Sequence, residues 1–277
     1  MQFGISTYLF HAERLARTHL DAISAHGFDV VELFALRSHV DYGDRAALDA
    51  LGEWLRASGL SLHSVHAPVA EGFANGQWGR ALSIGATDPA ARERAVAETQ
   101  VALDVASQLP YRYLVLHLDG SGPDADPGPA SVDAVRRSLE TLCPYAATRG
   151  VTLALEVLGT PLSNAASLVK MIDQLELEDV GVCLDFGHAH AADGVIDAVE
   201  TVSGSLWTTH VHDTARTGQC HLVPFDGVIE WEGALLSFQK VGYEGPWVLE
   251  LDAGADPFDV LRRAAGARRR FEAVLAS

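Results

Sequence analysis

Residues 152–157 read TLALEV, and residues 180–186 read VGVCLDF. Both runs are short, apolar and rich in Val and Leu, which is typical of strands that are buried on both faces. Between them, Ala165–Leu175 shows apolar residues at helical spacing and follows Ser163 or Asn164, either of which can cap a helix. A strand, a helix and a second strand in this order predict a parallel βαβ unit.

The same alternation continues through the whole chain. Eight short apolar runs are separated by amphipathic stretches, and they are Phe3–Thr7, Val30–Ala35, Ser61–Ala67, Tyr113–Asp119, Thr152–Val157, Val180–Phe186, Leu206–Asp213 and Pro246–Asp252. Eight such repeats in 277 residues predict an α/β fold with one domain over residues 1–277, a (β/α)8 TIM barrel with a parallel eight-stranded barrel. An open doubly wound sheet is the alternative, but no GxGxxG motif follows the first run.

The charge and the cysteine content of the chain indicate which binding partners and which cellular compartment to expect. The formal net charge of −17, with histidine counted as neutral, disfavours nucleic acids and anionic membranes as partners. Cys143, Cys183 and Cys220 are far apart and form no CxxC pair, so we expect neither a disulfide framework nor a cysteine zinc site. The chain shows no secretory signal and no apolar run long enough to cross a bilayer, so a cytoplasmic protein is expected.

Two loops after predicted strands are longer than the others. Residues 68–87 follow the third strand and carry Trp78, and residues 214–229 follow the seventh. Because barrel enzymes build their sites from loops at the carboxyl ends of strands, the first loop either forms a lid over a ligand or is an ordinary insertion packed by its own aromatic residues. The Gly-, Pro- and Asp-rich segment 120–129 is predicted to be a surface loop.

Ionisable side chains occur at the ends of strands that should be almost wholly apolar. They are the carboxylates Glu156, Asp185 and Glu250 and the imidazoles His66, His117, His210 and His212. Side chains alternate across a strand, and the apolar neighbours of these residues suit the face that packs on the outer helices. We therefore expect all of these ionisable groups to point towards the barrel axis at one end.

Three carboxylates brought together without compensation would cost several kcal/mol, so a bound cation is expected to neutralise them. Glu156, Asp185, His212 and Glu250 are therefore predicted to bind a divalent metal ion. Their mostly oxygen ligands suit Mn²⁺, Co²⁺ or Mg²⁺ and also admit Zn²⁺. The alternative is that each residue is only a buried hydrogen-bond or ion-pair partner, which is the common case for one residue but not for four on neighbouring strands.

The remaining histidines divide into three groups. His66 and His117 either donate hydrogen bonds to these ligands or bind a second metal ion that shares Glu156. His188 follows the sixth strand and suits contact with a substrate, whereas the positions of His63, His190 and His221 are equally compatible with a structural role. The histidines predicted to lie at the surface or in packing positions are His11, His19, His26 and His39.

At these residues the sequence resembles the xylose isomerase-like superfamily, which includes sugar isomerases and epimerases, inosose dehydratases and endonuclease IV. The resemblance extends from the first strand to the eighth. The segments that carry it are VVEL at 30–33, VHAP at 65–68, SIGATDP at 83–89, LH at 116–117, LE at 155–156, CLDFGH at 183–188, HVHD at 210–213 and VLE at 248–250.

The ketose 3-epimerases that the chain resembles bind one Mn²⁺ or Co²⁺ through the matching Glu, Asp, His and Glu. The resemblance implies that Glu156 and Glu250 also act as acid and base in proton transfer through a metal-stabilised enediolate. It implies a carbohydrate substrate in contact with His188. The other residues predicted to contact the substrate are His66, His117, His221 and Trp78. An Arg that follows the strand-7 histidine in those enzymes is matched here by Gly218.

The predicted function is a metal-dependent isomerase or epimerase of a sugar or sugar-derived ketone. Two rival activities remain open, a lyase of the inosose dehydratase type and a zinc phosphodiesterase like endonuclease IV. The first zinc site of the latter would match His66, His117 and Glu156, but its third site would need an Asp where this chain has Gln219. Superfamily members are often dimers or tetramers, so the resemblance also admits a homo-oligomer.

Overall fold

Eight parallel strands close into a barrel in this computed structural model, which describes residues 2–118, 129–177 and 179–275. The strands are β1 Phe3–Ser6, β2 Val30–Phe34, β3 Ser61–His66, β4 Tyr113–Leu116, β5 Thr152–Glu156, β6 Val180–Asp185, β7 Leu206–Val211 and β8 Trp247–Leu249. Their order around the barrel is β1-β8-β7-β6-β5-β4-β3-β2, and the pairing of β1 with β2 closes the ring. The predicted (β/α)8 barrel is confirmed.

Helices follow the strands along the chain. They are α1 Arg17–Ala25, α2 Arg45–Ser58, α3 Pro89–Asp104, α4 Pro129–Ala147, α5 Ala165–Gln174, α6 Phe186–Ala191, α7 Val195–Val202, α8 Trp231–Val241 and α9 Pro257–Leu275. Two short 3₁₀ helices, Thr7–Phe10 and Val105–Ser107, follow β1 and α3. The predicted surface loop at 120–129 lies outside the described residues, apart from Pro129 at the start of α4.

Local sequence signals fix several helix ends. Asp88 accepts a hydrogen bond from the backbone N–H of Ala91 and precedes Pro89 in the first turn of α3. Asn164 caps α5 by accepting from the N–H of Ser167. Gly59 ends α2 in the left-handed conformation, which a glycine adopts without steric cost.

The core has two parts on the two faces of the strands. The larger part lies between the barrel and its helices and includes Ile5, Val65, Leu153 and Phe271. The smaller part lies inside the barrel and is named here the plug; it consists of Tyr113, Val115, Ala154 and Cys183, with Trp207 packed against it. The plug holds the inward faces of β4, β5 and β6 together below the ionisable residues that end these strands.

Several predicted strands end earlier in the structure than in the sequence analysis. β4 ends at Leu116 and β8 at Leu249, so His117 and Glu250 follow directly after regular strand geometry ends. Likewise, β7 ends at Val211 and His212 comes next. These ionisable side chains are therefore carried by the first residue of a loop that a rigid strand anchors.

The loop at 68–87 contains a small antiparallel hairpin. Phe73–Ala74 pairs with Gln77–Trp78, and the turn between them is formed by Asn75 and Gly76. Both turn residues have positive φ, at 53° and 74°, as a two-residue hairpin turn requires. The described residues contain no helix of the length and apolar character needed to cross a membrane.

Candidate active site

Three carboxylates and one imidazole meet at the carboxyl ends of β5 to β8. One ligand atom from each of Glu156, Asp185, His210 and Glu250 lies within 4.8 Å of all the others, and all four residues are buried. Donor atoms at this spacing can converge on one cation, which would lie about 2.0–2.6 Å from each of them. We call this end of the barrel the mouth.

Glu156 is the most connected carboxylate of the mouth. Its Oε2 lies 2.9 Å from Nε2 of His117 and 3.2 Å from Nε2 of His66, while its Oε1 lies 2.9 Å from Nδ1 of His210. Its two oxygens therefore face different groups. His66, His117 and Glu156 also form a second cluster with ligand atoms within 4.8 Å of one another.

Asp185 faces the other side of the mouth. Its Oδ1 accepts the backbone N–H of His188 at 2.7 Å and so caps α6, and its Oδ2 lies 2.9 Å from Nε2 of His212. A Cβ atom on Gly187 would overlap the ring of His212, so only glycine leaves room for this imidazole. The turn after β6 thus places Asp185 and His212 side by side.

A third cluster consists of three histidines. Ligand atoms of His188, His212 and His221 lie within 4.8 Å of one another, and the rings of His212 and His221 stack with centroids 4.2 Å apart. The backbone N–H of His221 also lies 2.9 Å from Nδ1 of His212. His188 and His221 are only partly buried, so both imidazoles border the space above the buried carboxylates.

The four predicted metal ligands are divided between these clusters. Glu156, Asp185 and Glu250 come together, whereas His212 contacts Asp185 and lies in the histidine cluster; the imidazole within 4.8 Å of all three carboxylates is His210. The sequence predicts that His210 lies on the inward face of β7 but indicates no role for it. Its position in the HVH segment gave no sign of which histidine lies closer to the carboxylates.

Glu32 is a buried carboxylate near the mouth to which the sequence analysis gave no role. It accepts a hydrogen bond from the hydroxyl of Ser64 at 2.8 Å and contacts Nε2 of His210 at 3.0 Å. The only signal in the sequence is a single acidic residue within the apolar run VVELF. Burial acts to raise the pKa of Glu32, but His210, His66 and the hydrogen bond from Ser64 together outweigh it, so the pKa lies below its usual value.

The pKa values of the two predicted catalytic carboxyls are shifted in opposite directions. Burial raises the pKa of Glu250 to about 7, with His210 opposing and Glu156 adding to the increase. Burial also acts to raise the pKa of Glu156, but His210 and His117 outweigh it and hold that pKa well below the usual range. Burial alone would lower the pKa of His66, yet Glu156 and Glu250 raise it to about 9. One carboxyl that titrates near neutrality beside one that stays ionised is an arrangement suited to acid–base chemistry.

Aromatic rings connect the hairpin to the mouth. The ring of Trp78 stacks on His11 with centroids 5.1 Å apart, and His11 stacks on Tyr8 at 4.7 Å. Tyr8 in turn lies 5.4 Å from the ring of His221, and its hydroxyl donates to Asp252 at 3.2 Å. Trp78 is 43% exposed, so one part of its ring remains open to solvent. His11, predicted as a surface or packing residue, is thus a packing residue within this stack.

The donor set fits a divalent cation. Within the described residues, the ion pairs of Glu32, Glu156, Asp185 and Glu250 are all made with histidines rather than with Lys or Arg. By contrast, the buried Asp213 accepts hydrogen bonds from the N–H groups of Thr214, Phe225 and Ile229 and from the indole of Trp231. Both oxygens of Asp213 therefore accept hydrogen bonds that hold the loop after β7. The mouth carboxylates instead face imidazoles, which can give up a proton when a cation binds.

Comparison with known proteins agrees with this architecture. The profile of the family described as xylose isomerase-like TIM barrel matches residues 20–271. The D-psicose 3-epimerase of Enterocloster bolteae is 24% identical over 267 residues, which are 90% of this chain and 82% of that protein. The uncharacterized protein y4fM of Sinorhizobium fredii is 27% identical over 152 residues, 52% of this chain and 48% of that protein, so the match spans about half of that relative.

Among solved structures, a D-tagatose 3-epimerase-like protein is similar over 100% of this chain and 97% of its own, with a TM-score of 0.80 and 21% identity. At this identity the likeness shows the common fold. Sugar epimerases are therefore among the relatives of the chain, both in sequence and in fold.

Proposed function

The chain belongs to the xylose isomerase-like TIM-barrel family, and on that basis we propose that it is a metal-dependent isomerase or epimerase of a sugar or sugar-derived ketone. The observation that carries the proposal is the meeting of the Glu156, Asp185 and Glu250 carboxylates inside the mouth, where Asp185 also contacts Nε2 of His212. The similarity of the chain to a sugar epimerase favours a carbohydrate over the other substrates that such a site could bind.

The metal would be held by Glu156, Asp185, Glu250 and His212. His210 is also within reach, but both of its ring nitrogens already face carboxylates, which leaves no lone pair free for a cation. His212 differs, because its Nδ1 lies 3.2 Å from the carbonyl oxygen of Asp213 and can donate to it, which leaves the Nε2 lone pair beside Asp185 for a cation; we therefore keep His212 as the imidazole ligand. A bound Mn²⁺, Co²⁺, Mg²⁺ or Zn²⁺ would supply Lewis-acid stabilisation of negative charge on a substrate oxygen.

Glu156 and Glu250 would move the proton next to the substrate carbonyl. The low pKa of Glu156 suits a group that takes up a proton only transiently, and in the absence of a bound ion burial raises the pKa of Glu250 to about 7, so the two carboxyls differ in proton affinity. Epimerisation returns a proton to the same carbon from the opposite face, whereas isomerisation delivers it to the neighbouring carbon. Both reactions need one group that removes a proton and one that returns it, so the same pair could serve either.

Substrate contacts are proposed at the rim of the mouth. His66 and His117 face Glu156, and His188 and His221 border the space above Asp185. The exposed part of Trp78 would pack on the C–H face of a sugar, because the hairpin is anchored by the aromatic stack through His11. In this proposal the hairpin serves as a lid, which is one of the two alternatives that the sequence left open for the long loop.

Solvent exchange tests the acid–base roles. In D₂O, Glu156→Gln and Glu250→Gln are expected to lower deuterium incorporation into the substrate by about 10²–10⁴-fold, the usual contribution of a positioned acid or base. Glu98→Gln is the matched control, because Glu98 pairs with Arg37 outside the mouth. Wild-type exchange in both mouth variants would show that neither carboxyl transfers the proton.

A second candidate function is favoured by the cluster of His66, His117 and Glu156, which could hold a second ion. That arrangement would suit a zinc phosphodiesterase, whereas the net charge of −17 opposes binding of a nucleic acid. Elemental analysis of the purified protein counts the ions, and cleavage of abasic DNA tests the activity directly. Product analysis with keto-inositols separates isomerisation from the dehydratase alternative.

A further inference from the structure

Glu32 is a buried acid that the proposed chemistry does not use. It lies on β2, on the far side of the mouth from the carboxylates of β5 and β6, and it is completely buried. Burying a carboxylate without a basic partner is costly, and its partners here are the hydroxyl of Ser64 and the imidazole of His210. Because burial of this carboxylate costs free energy, we expect Glu32 to have a role beyond packing.

The contacts of His210 show where Glu32 acts. Its Nε2 lies 3.0 Å and 3.1 Å from the two oxygens of Glu32, and its Nδ1 lies 2.9 Å from Oε1 of Glu156. Because ionised carboxylates only accept hydrogen bonds, the ring donates on both sides. Glu32, His210 and Glu156 thus form a continuous hydrogen-bonded bridge across the barrel.

This bridge restrains the carboxylate of Glu156. With Oε1 held by His210, the plane of the carboxylate is fixed and Oε2 is directed at His66 and His117. Without Glu32, the ring of His210 would lose its anchor on the Nε2 side and could turn about its side-chain bonds. Glu156 would then lose the fixed donor that orients it.

We propose that Glu32 is a positioning residue that acts through His210 to orient Glu156 for metal binding and proton transfer. The inference rests on the proposed function, but it concerns a residue to which the sequence analysis assigns no role and which belongs to none of the ligand clusters. Charge-bearing partners behind a metal ligand set its orientation, and their loss commonly weakens metal binding by about 10–100-fold.

Titration of the metal-free protein with Mn²⁺ alone tests this role by calorimetry. Glu32→Gln preserves the shape of the side chain but replaces one accepting oxygen by a donor, and we expect it to weaken Mn²⁺ binding by about 10–100-fold. The visible absorption of the Co²⁺-loaded variant should also change, since that spectrum reports ligand geometry. Glu32→Asp keeps the charge and should restore part of the affinity, while Glu98→Gln should bind as the wild type does.

Wild-type affinity together with an unchanged Co²⁺ spectrum in Glu32→Gln would overturn the role. If that variant does not fold, His210→Gln takes its place, and unaltered Mn²⁺ binding there would overturn it equally. A wild-type protein that binds Mn²⁺ but turns over no sugar would contradict the proposed function and leave this inference standing, because binding is measured without substrate. A wild-type protein that binds no Mn²⁺ would overturn both.

Discussion

The plug and the mouth occupy the same strands, two residues apart. Along β4, β5 and β6, the inward positions change from Val115 to His117, from Ala154 to Glu156 and from Cys183 to Asp185. One step of the strand period separates an apolar layer from an ionisable one. The plug residues pack on one another, whereas the mouth residues face partners of opposite charge or hydrogen-bonding character.

The plug and the mouth therefore contribute differently to the barrel. The plug fixes the spacing of the strands, and the mouth receives side chains whose mutual repulsion the fold tolerates only because histidines and a proposed cation compensate it. A cleft of about 430 Å³ lies at the opposite end of the barrel, lined by Arg112, Trp207 and Tyr243 among others, and it contains no member of the mouth.

Moving a carboxylate from the mouth into the plug should have the largest effect. Val115→Asp would bury a charge among Tyr113, Ala154 and Cys183, and we expect a loss of about 3–5 kcal/mol in the free energy of unfolding. Val115→Asn, of the same shape without the charge, should lose less. Urea unfolding measures both, and equal stability of the two variants would show that the plug is not sensitive to charge.

His39 is a buried histidine that, unlike those of the mouth, has a backbone carbonyl rather than a carboxylate as its hydrogen-bond partner. Burial lowers the pKa of His39 to about 4, although Nδ1 donates to the carbonyl of Glu13 at 2.7 Å. A lowered pKa means that His39 contributes stability above its unfolded value near 6.5 and that this contribution is lost as the pH falls from there towards 4. The loss should be on the order of 3 kcal/mol.

Unfolding experiments on His39→Gln between pH 7 and pH 4.5 check this expectation. The variant should lose less stability over that range than the wild type, because its buried amide does not take up a proton. Parallel stability curves would contradict the assignment of this acid sensitivity to His39.

Loading the mouth with metal should stabilise the fold without involving the plug. Mn²⁺ at a hundredfold excess over its dissociation constant is expected to add about 2.7 kcal/mol to the free energy of unfolding, and EDTA should remove this increment. The increment should shrink in Asp185→Asn and persist in Glu98→Gln. Thermal unfolding with and without Mn²⁺ measures it, and an equal gain in Asp185→Asn would place the ion elsewhere.

The smallest effect is expected when two tryptophans, one at the rim and one beside the plug, are replaced separately. Trp78→Ala at the rim should raise KM for the sugar by about twofold to tenfold, equivalent to about 0.5–1.5 kcal/mol of ring contact, with little change in stability. Trp207→Ala beside the plug should show the reverse pattern, with lower stability and unchanged KM. If both variants changed KM alike, the rim would not be a separate substrate surface.

The sequence was sufficient for the barrel and for most of the mouth. Strand and helix signals have a fixed period, so eight repeats and the inward direction of Glu156, Asp185 and Glu250 could be predicted without coordinates. The contacts of His210 and His212 could not be predicted, because both histidines lie on the same face and the carboxylates that each one meets come from other strands. For Glu32 the missing information was its partner, which comes from β7 across the barrel.

The hairpin illustrates a second kind of limit. Asn75-Gly76 is a strong turn signal, but the strands beside it are only two residues each, and so the period-two pattern is too short to detect. The stack of Tyr8, His11 and Trp78 joins residues from two separate loops, and no pattern within either loop reveals it. Long-range contacts between loops are thus the part of the site that period-based reasoning misses.

The tight fit of Gly187 beneath the imidazole of His212 has an evolutionary consequence. No residue with a side chain can enter position 187 unless the chain first relocates or abandons that histidine. Any mutational path that places a side chain at position 187 must therefore first move or replace the histidine at position 212. The order of changes in this turn is constrained because the imidazole occupies the volume that even a methyl group would need.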